Sequence, residues 1–272
     1  MIKGGEFLIK NQEAKDVFIP EEFGEDQLMM ASATKEFVEK ELDPHREQFE
    51  KKDYQLTEDC MKKAGELGLL GISVPAEYGG MGMPFNTSVL ICDKISGANG
   101  SFSTAFGAHT GIGTLPILLY GDDAQRKKYL PKLATGEWMG CYCLTEPGAG
   151  SDANSGKTKA VLTKDGKNYL ITGQKMWISN AGFADVFIVF ARIEDDKNIT
   201  GFILEKEMEG ITMGEEEYKL GLNSSSTRQV FFNDVKVPIE SMLGGRGNGF
   251  KIAMNALNVG RSEERRVGKE CR

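Results

Sequence analysis

Two short segments carry most of the chemistry that this sequence offers. The first is Thr145-Glu146-Pro147-Gly148-Ala149-Gly150-Ser151-Asp152. Small residues let a backbone come close to a flat or phosphorylated ligand, and their free N–H groups can bind anionic oxygens. A tight surface turn would use the same residues. The run is not a Walker A loop, because Gly-Lys-Ser/Thr is missing, and not a Rossmann fingerprint, because no helical pattern follows it. The second segment is Lys175-Met176-Trp177-Ile178-Ser179-Asn180. On a strand, Trp177 would offer a broad face to an aromatic cofactor, with the Ser179 hydroxyl on the same side. Taken alone, the segment favours a barrel-core tryptophan beside a turn serine.

Metal, disulfide and nucleic-acid chemistry find less support. Five cysteines, one of them in the terminal Glu270-Cys271-Arg272, make no disulfide framework. Cys141 and Cys143 lie two apart and share one side of a strand, a spacing that fits neither a redox pair nor a zinc knuckle. Only His45 and His109 are available. His45 follows Asp43-Pro44 and reads as a surface group, and His109, among small residues, as a satisfied core or pocket histidine; no metal site is expected. A net charge of −7 disfavours a phosphate-tracking surface. Lys127-Lys128 reads as a solvated helix face. No apolar run reaches membrane-spanning length. The N-terminus has no apolar core, and Glu6, Glu13 and Asp16 spoil a transit peptide, so the chain reads as cytoplasmic.

The elements that must position the two segments change period partway along. Before Glu137 the pattern is helical. Leu28, Ala31, Val38 and Leu42 recur at helical spacing. Thr57 can cap the next helix, which Cys60, Ala64 and Leu67 stripe and Gly68 stops. A Pro/Gly loop spans 74–80, a further helix is predicted over 87–96, and Asp122 can cap another. From Trp138 residues alternate as on a strand. Lys164-Asp165-Gly166-Lys167 reads as a hairpin, Asp-Gly being the pair a type I′ turn uses. Further β-rich runs cover 185–193, 200–205 and 229–237. After Pro238 the chain turns helical again, with Phe250, Met254 and Leu257 on one stripe and Asn258 and Arg261 one turn apart beside it. The order helices, β, helix predicts an α+β fold that is not a doubly wound sheet, with short antiparallel strands that suggest a small barrel or sandwich.

Taken together, Tyr142-Cys143-Leu144-Thr145-Glu146-Pro147-Gly148-Ala149-Gly150-Ser151-Asp152 and Gly173-Gln174-Lys175-Met176-Trp177-Ile178-Ser179 resemble the two signature segments of the acyl-CoA dehydrogenases. The resemblance extends over 69–82, 107–136 and 244–261. Gly4-Gly5-Glu6-Phe7-Leu8-Ile9 and the Trp-Ile-Ser form look closest to the longer, very-long-chain type. The resemblance implies a helical N-terminal domain over 1–137, a middle antiparallel β-barrel domain over 138–240 and the start of a truncated C-terminal helical bundle over 241–272, with FAD held between the last two. It implies that Tyr142, Leu144 and Thr145 line the flavin ring, that Gly150 and Ser151 sit where flavin and CoA meet, and that Trp177, with Ile178 and Ser179 beside it, packs on the ring. Ser179 would donate near flavin N5. Ser151, Asn258 and Arg261 would contact substrate.

The implied reaction is α,β-dehydrogenation of fatty acyl-CoA thioesters in fatty acid β-oxidation, with a glutamate as base and hydride passed to the flavin. Electron-transfer flavoprotein and a homo-oligomer are the implied partners. That glutamate belongs to the family's C-terminal bundle, and Glu146 looks structural within the pattern. These residues alone are therefore expected to bind FAD weakly and to be inactive. At Ser262 the apolar pattern gives way to dense alternating charge, so 262–272 reads as a non-native tail. Alternatives are an acyl-CoA oxidase or flavin monooxygenase on the same scaffold, and a non-catalytic binding or assembly protein.

Overall fold

The computed structural model describes the backbone of residues 8–267 except Gln12, and side chains as far as Asn258 apart from Gln12 and Ala14. Seven helices come first: α1 (Glu25–Phe37), α2 (Arg46–Glu50), α3 (Tyr54–Glu66), α4 (Phe85–Ala98), α5 (Gly100–Gly107), α6 (Leu115–Tyr120) and α7 (Asp123–Thr135). Phe37, Leu42, Phe49, Met61, Ile91, Ile95 and Phe102 are buried together in their core. The predicted stripe is partly displaced. Leu28 is 53% exposed, and Met30, Thr34 and Phe37 supply the buried face with Ala31. The start of α3 is also corrected. Asp53 caps it, accepting from the Leu56 N–H at 3.0 Å, and Thr57 lies buried inside the helix. An acidic cap serves as well as a hydroxyl one, and Asp53 comes first along the chain. Asp122 caps α7 as expected, accepting from the Gln125 N–H at 2.8 Å. Lys127 and Lys128 on that helix pair with Asp123 and Glu205.

Eight strands follow: β1 (Gly140–Cys143), β2 (Lys159–Leu162), β3 (Asn168–Ser179), β4 (Val186–Ile193), β5 (Thr200–Glu205), β6 (Ile211–Glu216), β7 (Thr227–Pro238) and β8 (Met242–Leu243). They pair in the order β6-β7-β3-β2-β4-β5-β8, with β1 added beside β4. The pairings are antiparallel except β1 with β4 and β2 with β4. A parallel strand is covered on both faces, which is why Val186–Ile193 reads as a continuous apolar run without alternation. Val186, Ile188 and Phe190 face the helices, while Phe187, Val189, Ala191 and Ile193 face the interior of the curled sheet. At the β2–β3 turn only Gly166 takes positive φ, so the type I′ reading gives way to a turn closed by Gly166 N–H to Thr163 O at 2.9 Å.

The last helix, α8 (Gly249–Val267), buries Ile252, Ala253 and Ala256 against the helix–sheet core. Its backbone stays helical past Ser262, where the apolar pattern ends. The side chains of 259–272, and the structure of 1–7 and 268–272, lie outside the described residues. No described helix is long and apolar enough to cross a membrane.

Helical and β layers are locked together beside the two signature segments. Between α5 and α6 the chain makes a π-helical turn, Ala108–Gly113, whose backbone presses on β1. A Cβ on Gly113 would stand 2.9 Å from the Gly140 carbonyl carbon, so only glycine permits this approach. His109, fully buried on the same turn, accepts from the Gly140 N–H through Nδ1 at 3.0 Å. Its Nε2 then carries the proton and donates to the Leu133 carbonyl at 2.9 Å. One neutral imidazole thus ties the end of α7 to the start of β1. His109 is a satisfied core histidine.

Candidate functional site

A cleft of about 300 Å³ opens between the π-helical turn, β1, the 145–153 loop, the end of β3 and α8. Tyr142, Leu144, Thr145, Gly150, Ser151, Trp177, Ile178 and Ser179, the residues singled out from the two signature segments, all line it. Asn258 lines it too. Arg261 lies outside the residues whose side chains are described. Ile112, Ala153, Met254 and Leu257 complete the wall. On α8, Met254 and Leu257 line the cleft and also pack against the core, Phe250 is 40% exposed, and Ile252, Ala253 and Ala256 are fully buried.

The β3 end of the wall depends on a break in strand regularity. Pairing with β7 shifts between Lys175 and Ile178, a bulge with Trp177 at φ 60°. The left-handed region costs a non-glycine residue about 1–2 kcal/mol. The bulge turns the indole outward, leaving Trp177 54% exposed, so it is not a barrel-core residue. It also breaks the two-residue period, which puts Trp177, Ile178 and Ser179 on one wall. Asn180 pins the segment from below. It has φ 66°, is fully buried, and donates from Nδ2 to the Ala105 carbonyl of α5 at 2.8 Å.

The two signature segments are stitched together behind the cleft by Lys175 and Glu146. Lys175 is 2% exposed, and its ammonium donates to Glu146 Oε1 at 2.7 Å, Phe190 O at 2.6 Å and Leu144 O at 3.2 Å. Glu146 also accepts the Lys157 N–H at 2.6 Å and the Thr158 N–H at 3.1 Å. Burial alone would raise the Glu146 carboxyl, but the Lys175 ammonium and these donors outweigh it and hold it below its ordinary value. Glu146 is therefore an ionised, fully engaged structural carboxylate turned away from the cleft. The Met176 N–H donates to Thr145 O at 2.9 Å, adding a backbone stitch.

Chemically, the cleft wall is an almost even mixture of polar and apolar surface. Tyr142 gives its phenol to the Ala253 carbonyl at 3.2 Å, and burial pushes that phenol well up, so only its ring edge serves the cleft. The hydroxyls of Thr145, Ser151 and Ser179 remain as polar groups on the wall. Among the described residues, no Asp, Glu, His, Lys or Arg lines the cleft. Gly150 has ordinary φ, and a Cβ there would meet nothing within 4 Å. Nothing in the fold of the described residues requires glycine at 150. A half-exposed indole, three hydroxyls and a glycine-lined recess fit a planar, polar-edged ring system.

Sequence reasoning misses Ile112, the anchoring role of Asn180 and the pairing of Lys175 with Glu146, although it reads Glu146 as structural. The Glu146–Lys175 pair has a usable signal: two opposite charges inside segments otherwise headed for burial must find each other.

Comparison with known proteins places the chain. Residues 24–137 match the acyl-CoA dehydrogenase N-terminal domain and residues 141–235 the middle domain. A probable acyl-CoA dehydrogenase of Bacillus subtilis is 48% identical over 95% of this chain, which spans 43% of that relative. The human mitochondrial very long-chain specific acyl-CoA dehydrogenase is 47% identical over 72% of this chain and 31% of its own length. The crystal structure of a Bacillus anthracis acyl-CoA dehydrogenase complexed with FAD superposes with a TM-score of 0.94 at 46% identity, over 98% of this chain and 46% of that one. The chain thus spans less than half the length of these relatives. It belongs to the acyl-CoA dehydrogenase family, whose N-terminal and middle domains it carries.

Proposed function

We propose that the cleft holds the isoalloxazine ring of FAD, and that the protein built on these domains dehydrogenates fatty acyl-CoA thioesters. The observation that carries the reading is the convergence of Trp177, Ser179, Thr145, Gly150 and Ser151 on one recess. Trp177 would cover the ring, Tyr142 and Leu144 would line it, and Thr145, Ser151 and Ser179 would offer hydrogen bonds to its polar edge. Bound FAD would supply the hydride acceptor, as such cofactors carry redox chemistry that side chains lack. Asn258 and Ser151 stand where substrate would enter, with Arg261 assigned beside them from the sequence. Electron-transfer flavoprotein is the acceptor this reading implies, a homo-oligomer its working form, and fatty acid β-oxidation its pathway.

Among the described residues, no carboxylate lines the cleft to remove the α-proton. Glu146 is excluded by its engagement with Lys175. These residues therefore supply the flavin pocket without the base. The test has two arms. The purified chain mixed with FAD should perturb the visible circular dichroism of the flavin, and Trp177→Ala should abolish the change. Anaerobic palmitoyl-CoA should leave that flavin oxidised while dithionite reduces it. No dichroism change would refute the flavin pocket, and bleaching by palmitoyl-CoA would refute the missing base.

A further inference from the structure

We propose that Lys175 is a positioning residue that aims one backbone donor, the Thr145 N–H, into the cleft. The inference starts from the two peptide groups that flank Thr145. The Leu144 carbonyl is held at 3.2 Å by the Lys175 ammonium, on the side away from the cleft. The Thr145 carbonyl accepts the Met176 N–H at 2.9 Å, and the Glu146 N–H donates to Ala149 O at 3.1 Å. Three of the four polar groups of these peptides are thus engaged within the wall. Every described peptide bond is trans, and in a trans peptide the N–H points opposite to its own carbonyl. With the Leu144 carbonyl turned in toward Lys175, the Thr145 N–H turns out, between Leu144 and Thr145, which both line the cleft.

Lysine suits this task better than a neutral donor. Its three ammonium protons satisfy Glu146, Phe190 O and Leu144 O at once, so the carbonyl is fixed from a point that is itself triangulated. Glu146 neutralises the charge, so the cleft receives an oriented peptide dipole and no net charge. An acceptor atom on the edge of a planar heterocycle is the chemistry this donor would take. That last step rests on the flavin reading above; the direction of the N–H does not.

Amide hydrogen exchange by NMR separates the two. In the chain without ligand, the Glu146 and Met176 amides should be protected and Thr145 should exchange at least about tenfold faster than either. Added FAD should slow Thr145. In Lys175→Met, FAD should fail to protect Thr145 and its affinity should fall about tenfold, the value of one directed hydrogen bond. Glu146→Gln/Lys175→Met, which leaves no orphan carboxylate, should show the same loss. A merely structural lysine would move all neighbouring amides together and leave their ratio unchanged. The proposal is overturned if Thr145 is as protected as Glu146 and Met176 without ligand, or if both variants keep wild-type FAD affinity. If the wild-type chain takes no FAD at all, the flavin reading fails, while the ligand-free exchange ratio still decides where the donor points.

Discussion

Acid should loosen this fold through His109 before it does so through the carboxylates. Burial pushes the His109 imidazole down from 6.5 to about 4, the Leu133 carbonyl only partly opposing it. The geometry agrees: a second ring proton would point Nδ1–H at the Gly140 N–H, now 3.0 Å from that nitrogen. Because the folded value is depressed, the unfolded chain takes the proton first as pH falls. The contribution is fully present above about pH 6.5, is lost between 6.5 and 4, and levels off below. The full loss is about 3 kcal/mol, of which about 1 kcal/mol is gone by pH 5.5. Urea unfolding from pH 7.5 to 5, in wild type and His109→Gln, isolates it, because glutamine keeps a donor and an acceptor but cannot titrate here. Wild-type stability should fall relative to the variant by about 1 kcal/mol at pH 5.5. Glu146, Glu205 and Glu216 are held below their ordinary values and act at lower pH, in both proteins alike. A difference that stays flat from pH 7.5 to 5 would refute the buried neutral histidine.

Other substitutions probe the site and its supports. Gly150→Ala should leave the unfolding midpoint unchanged, since its Cβ meets nothing, yet weaken FAD binding. Gly80→Ala should destabilise by several kcal/mol in thermal unfolding, because its Cβ would lie 2.0 Å from the Val74 carbonyl oxygen. Lys175→Met should cost about 3–5 kcal/mol by leaving Glu146 buried and unpaired, and Glu146→Gln/Lys175→Met distinctly less; equal costs would contradict a buried ion pair. Asp53→Ala should cost about 1 kcal/mol in urea unfolding as the α3 cap is lost.

The legible parts of the molecule are those where local chemistry decides. Thr145 to Ser151 and Trp177 to Ser179 stand out as a pair, since each alone fits a surface turn or a core tryptophan, and they do meet in one cleft. Asp122 and Gly68 mark helix ends through interactions that span a single turn. What stays hidden depends on long-range packing. Nothing at Trp177 signals φ 60°, because a bulge is imposed by the register of β7 and the anchor at Asn180. The apolar residues of α8 serve both the core and the cleft, and helical spacing alone cannot say which stripe meets which. β6 carries Glu215 and Glu216, a polar ending that disguises an edge strand. Leu28 reads as core only because its neighbours do.

The central claim is that this cleft takes a flavin ring, and Trp177 is the natural reporter. The chain has two tryptophans, and Trp138→Phe leaves Trp177 as the sole indole. In that variant the indole Nε1–H resonance should shift saturably as FAD is added, together with the amides of Thr145 and Ser179, even when binding is as weak as about 0.1 mM. If FAD at about 1 mM leaves these three signals in place, or moves residues remote from the cleft instead, the flavin assignment is wrong.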